Sequence, residues 1–80
     1  AQELAAEAAR AVRRLRESDI QKPPGIAETI DWVAALELLG VERLDPAAAE
    51  RTMGSVLKYR EDQETITERG VDWLVGATDG

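Results

Sequence analysis

At 80 residues, 44% of them apolar, the chain has room for one small domain with a single core, near the size at which one core is only just sufficient. It has neither cysteine nor histidine, which excludes disulfides, thiolate metal sites and any Ser-His or Cys-His nucleophilic pair within this sequence. A net charge of −6 disfavours general binding to a phosphate backbone, and no apolar run approaches the ~18 residues that cross a bilayer.

The aromatic residues are Trp32, Tyr59 and Trp73, so Leu, Ile, Val and Ala must fill most of the interior. Alternating β-branched runs are missing. The sequence predicts an all-α fold, a compact bundle of three main helices plus a weaker fourth helix at the C-terminal end. All 80 residues are expected in one domain. The chain opens on Ala1, directly in a helical pattern, as expected of a C-terminal fragment of a longer protein.

The first helix is predicted over residues 3–16, with Leu4, Ala8, Ala11, Val12 and Leu15 at helical spacing. Glu3 and Glu7 stand early in it. Arg10, Arg13, Arg14 and Arg16 stand late, as the helix dipole favours, and solvated end charges account for them without any ligand. The sharper reading brings one of Arg13, Arg14 or Arg16 to a phosphate or a neighbouring subunit.

Lys22-Pro23-Pro24-Gly25 cannot lie inside a helix, because two prolines remove two donors and Pro23 pushes Lys22 out of the α region. From Ile26 no breaker appears until Gly40, which suits a left-handed cap. At 100° per residue Ile26, Ile30 and Val33 share one side, and Trp32, Leu36 and Leu39 another. Only a narrow stripe through Glu28, Asp31 and Ala35 is left for water. A helix apolar on two sides is expected to pack between neighbours as the central helix.

Val41 and Leu44 are expected to tuck inward after Gly40. Asp45-Pro46 is a strong helix start, and a third helix is predicted from Pro46 to Tyr59 with Ala49, Met53, Val56 and Leu57 buried. Gly54 inside it costs ~1 kcal/mol relative to alanine, which close contact with another helix would offset unless the glycine is merely tolerated. The run from Arg60 to Glu64 reads as a solvated helix end or connector. Ile66, Gly70, Trp73 and Leu74 then fit a fourth helix over residues 64–75, and Gly76 to Gly80 reads as a frayed tail.

Three carboxylate groupings invite a chemical reading. Glu28 and Asp31 fit a solvated stripe, and Asp62 and Glu64 fit a solvated charge run. Glu37, on an otherwise apolar side, needs an arginine of the first helix or solvent at the helix end. None makes a catalytic site without a nucleophile, base or metal cage, and neither GxxxxGK[ST] nor GxGxxG occurs.

KPPGIAETIDW, followed by LGVERLDP and LKYRED, resembles the C-terminal helical lid of MoxR-type AAA+ ATPases, in the branch associated with von Willebrand factor A (VWA) domain proteins. The likeness covers roughly residues 8–63, and PPGIAETIDW is its most specific part. It implies a lid that closes over ATP and Mg²⁺ held by an AAA+ core of the same chain, with hydrolysis coupled to chaperone-like remodelling of partners. The fragment alone would bind no cofactor. A homo-oligomeric ring, a cytoplasmic location and a VWA-domain partner are implied as well, with no nucleic acid and no membrane span. Many AAA+ lids place a γ-phosphate-sensing arginine at the start of this helix. Here the matching positions are Gly25, Ile26, Ala27 and Glu28, without an arginine. The nucleotide-facing residues the resemblance implies are therefore Lys22, Gly25, Ala27 and Glu28, with no catalytic or metal-binding residue. The alternative is a free-standing acidic helical protein-interaction module without nucleotide. Acyl carriers are set aside because GIAET holds no serine for phosphopantetheine, and helix-turn-helix DNA binding because the recognition helices carry few basic groups.

Overall fold

The computed structural model describes residues 2–76. Helices α1 (Gln2–Glu17), α2 (Ile26–Leu38), α3 (Pro46–Arg51), α4 (Met53–Val56), α5 (Arg60–Arg69) and α6 (Val71–Val75) follow one another, with no strand among the described residues. The fold is all-α, and α1, α2 and α5 are its long helices. Its Cα radius of gyration is 11.2 Å, close to the ~12 Å expected of a compact chain of this length.

α1 buries the stripe its periodicity marks: Leu4, Ala8, Ala11, Val12 and Leu15. α2 and α6 both pack against it. Its alanines let these neighbours approach closely. Ser18 closes the helix, its hydroxyl donating to the Leu15 carbonyl at 2.6 Å.

Gly40 takes the left-handed conformation (φ 74°) as the cap of α2. The amides of Leu39, Gly40 and Val41 then return to the carbonyls of Ala35, Glu37 and Leu36, and Val41 folds inward. α3 opens as Asp45-Pro46 predicts, the Asp45 carboxylate accepting from the Ala48 amide at 2.7 Å. Leu44 is buried beside it.

Two predicted helices are each broken in two. The third is interrupted at Thr52 (φ −111°, ψ 11°), which separates α3 from α4. Its buried hydroxyl donates to the Ala48 carbonyl at 2.8 Å and accepts from the Trp32 indole Nε1 at 2.6 Å. One residue thus serves a helix end and a tertiary contact, and periodicity is blind to that. Ala49, Met53, Val56 and Leu57 are nevertheless buried as expected. Gly54 is exposed, and a Cβ placed on it would meet nothing within 4 Å, so close packing does not explain it. The fourth helix begins earlier than expected, at Arg60, and Gly70 (φ 116°) divides it into α5 and α6. Ile66 and Leu74 are buried, whereas Trp73 is half-buried with the Arg69 guanidinium 3.7 Å above its ring.

Of the expected tail, Gly76 is the left-handed cap of α6, and Arg14 crosses from α1 to donate to the Leu74 carbonyl at 3.2 Å. Residues 77–80 lie outside the described residues.

The largest departure concerns the central helix. Trp32 and Leu36 are fully buried, facing α1 and α4. Ile26 and Ile30 are 76% and 63% exposed, and Leu38 is 88% exposed. The helix is covered on one side rather than two. Of the stripe expected in water Asp31 is exposed, whereas Glu28 and Ala35 are half-buried, and the outward arc extends over Ile26, Ile30, Ala34 and Leu38.

Candidate functional site

The segment the resemblance singles out is the bend between α1 and α2, and its backbone donors can be accounted for one by one. The amides of Gln21 and Lys22 donate to the two oxygens of the Asp62 carboxylate, at 2.8 and 3.0 Å. Pro23 and Pro24 have no donor to satisfy. The Gly25 amide donates to the Glu28 carboxylate at 2.8 Å. The carbonyls are held too: Pro24 accepts from Arg16 Nε at 3.3 Å, and Gly25 accepts from the Thr29 amide at 3.1 Å and hydroxyl at 2.8 Å. Few degrees of freedom remain between Gln21 and Thr29.

Asp62 corrects the solvated-run reading. It is 2% exposed, in the first turn of α5, and it clamps a segment some 40 positions earlier in the chain. A carboxylate withdrawn from water requires such donors, and the amides of Gln21 and Lys22, just ahead of a Pro-Pro pair, supply them. The charge run around Asp62 concealed this role in the sequence.

Glu28 reaches back over the start of α2 to the Gly25 amide, the acidic half of a capping arrangement. Its carboxyl is held below the ordinary value near 4.5, first by the Gly25 amide and its own, then by the positive charges of Lys58 and Lys22. An external anion would be drawn to a helix N-terminus, but here the chain's own carboxylate stands over it. Gly25 is extended (φ −93°), and a Cβ there would come within 3.1 Å of Glu28 Oε1, so a larger residue would press the carboxylate to shift by a few tenths of an ångström.

Of the residues implied by the resemblance, Lys22 and Ala27 are exposed, whereas Gly25 and Glu28 are half-buried against each other. The fold adds three that sequence reasoning had not placed here: Asp62 beneath the bend, Arg16 on the Pro24 carbonyl, and Lys58 close enough to act on Glu28. The corner thus brings Arg16, Lys22 and Lys58 together with the carboxylates of Asp62 and Glu28. Among the described residues no group of three His, Cys, Asp or Glu gathers to hold a metal ion. No helix among them is long and apolar enough to cross a membrane.

A second polar cluster lies at the other end of α1. Glu7 accepts from the Leu44 amide at 2.9 Å and from Arg43 Nη2 at 2.9 Å, fastening the loop before α3. The Arg43 guanidinium is the chief cause that holds the Glu7 carboxyl below its ordinary value near 4.5.

No family model, curated protein or solved structure matches the chain.

Proposed function

We propose that this domain is the helical lid of a MoxR-type AAA+ ATPase, closing over ATP and Mg²⁺ held by a separate α/β core and passing the hydrolysis step to a ring of subunits. The observation that supports this reading best is a contact between two distant parts of the resemblance. Asp62 of LKYRED holds the backbone of Gln21 and Lys22 at the head of KPPGIAETIDW. A lid that works by changing its angle needs a stiff hinge-side bend, and the donors of this bend are satisfied from Gln21 to Gly25. Lys22, exposed at its tip, is the group that approaches a phosphate. Glu28 keeps phosphate oxygens from the helix end, so the bend acts mainly by setting lid angle. The phosphate loop and the Mg²⁺ ligands belong to the core. Chaperone-like remodelling alongside a VWA-domain protein, in the cytoplasm, completes the proposal.

The test is made in the intact ATPase that the reading requires. Lys22→Ala is expected to weaken binding of a non-hydrolysable ATP analogue about two- to fivefold, the loss of one exposed charge contact. Pro24→Gly is expected to change turnover more than affinity. A complete protein without a phosphate loop, or one whose turnover ignores both substitutions, contradicts the reading. The exposed apolar arc of α2 favours a second reading, a free-standing interaction module.

A further inference from the structure

Of the three long helices, α5 is the one least anchored in the domain. Asp62 and Ile66 are its buried residues, and Ile66 is the one apolar side chain in its sequence. Among the other helices it packs chiefly on α6. Its N-cap, Tyr59, makes no side-chain cap. The exposed Thr65 and Thr67 turn their hydroxyls back on the carbonyls of Glu61 and Gln63, at 2.9 and 2.8 Å, which weakens a helix slightly. A polar helix this short does not persist in water on its own. What docks it is Ile66, the Gln63 side-chain amide donating to the Leu57 carbonyl at 2.8 Å, the Arg69–Trp73 stack, and the Asp62 clamp on Gln21 and Lys22.

Both ends of α5 are placed so that it can leave without disturbing its neighbours. Leu57, just before it, is fully buried after α4 and has an extended backbone (φ −116°). Gly70, just after it, breaks the helix at φ 116°, and α6 beyond it keeps its own packing on α1 and α3. We infer that α5 is a latch: it opens by local unfolding between Lys58 and Arg69 while the rest of the domain stays folded, and its opening frees the bend. Elements with few buried contacts open in cooperative units below the global unfolding free energy. Here the unit joins two separate stretches of chain, because the amides of Gln21 and Lys22 lose their Asp62 acceptor when α5 leaves. The bend is stiff while α5 is docked and loose once it is not. By linkage, a ligand that fixes the bend also holds α5 closed, and one that grips opened α5 loosens the bend. The latch stands independently of the nucleotide reading, because it uses contacts within this chain alone.

Native-state hydrogen exchange of the 80-residue chain, followed amide by amide at low denaturant, tests the latch. The amides of residues 66–69 and those of Gln21 and Lys22 are expected to share one protection factor, at least about tenfold below that of the slowest α1 amides. Ile66→Val lies inside the latch and leaves the clamp untouched. It should lower protection by one common factor, about two- to tenfold, at α5 and at the bend alike. Val12→Ala, in the buried stripe of α1, should lower protection of the core amides and leave α5 and the bend unchanged, since Val12 stays packed in the opened form. α5 amides as protected as the slowest of α1 in the unsubstituted chain would overturn the inference. So would bend amides that keep their protection in Ile66→Val, or a loss in Val12→Ala as large at α5 as in the core.

Discussion

Asp62 and Thr52 are the two buried polar side chains among the described residues, and each does two jobs that one neutral or apolar replacement cannot. The two oxygens of Asp62 serve two amides. Asparagine of the same shape offers one acceptor and turns its NH₂ toward a donor. Asp62→Asn is therefore expected to cost about 2–3 kcal/mol, in line with losing a charged acceptor and stranding a buried donor. Hydrogen exchange at Gln21 and Lys22 should accelerate beyond the global effect. Exchange at these amides unchanged relative to the rest of the domain would contradict the clamp. Thr52→Val keeps the volume but strands the Trp32 indole N–H, at about 1–3 kcal/mol by chemical denaturation. Trp32→Ala removes the largest fully buried side chain and should cost about 3–5 kcal/mol. That is a large part of the ~5–15 kcal/mol typical of a whole domain.

Glu7 and Glu28 add a pH dependence whose sign follows from their hydrogen bonds. Both carboxyls titrate below the ordinary value near 4.5 in the folded chain. Each therefore contributes stability in full above that value and loses it as pH falls through the lower folded one. The denaturation midpoint should be flat on the acid side of neutrality down to that value and fall below it, with a shallower fall in Glu7→Gln. A midpoint that rises on acidification would contradict both assignments.

At the scale of elements, the helices whose apolar residues fall on one stripe were legible in the sequence. The buried stripe of α1, the Asp45-Pro46 start and the Gly40 cap follow from spacing and backbone preference alone. Helix breaks were not legible where a tertiary contact causes them. Thr52 interrupts α3 and α4 while its hydroxyl bridges to Trp32, and no local signal announces that. Gly70, which divides α5 from α6, fits the face of a continuous fourth helix by spacing alone. Periodicity gave α2 two apolar sides without saying which of them the domain covers. The bend was legible as a bend, but its clamp was hidden because Asp62 sits among Arg60, Glu61, Gln63 and Glu64. Gly54 supplies an element-scale prediction. It sits in α4 with open space where a Cβ would go, so Gly54→Ala should stabilise the domain by about 0.4–1 kcal/mol. A lower melting temperature in that variant would mean the backbone there is less helical than described.

For the molecule as a whole, the covered face of α2 builds the core and its uncovered arc leaves a surface the domain does not itself bury. At the start of the same helix, Lys22 and Lys58 stand near a bend whose donors are already spoken for. In the proposed lid, nucleotide chemistry stays in the core and the bend transmits its outcome. The most direct measurement is a structure of the complete ATPase with Mg²⁺ and a non-hydrolysable ATP analogue. The account predicts residues 22–28 at the cleft between lid and core, with Lys22 on the phosphate side and the Asp62 clamp intact. The same residues facing bulk solvent, far from the nucleotide, would contradict it.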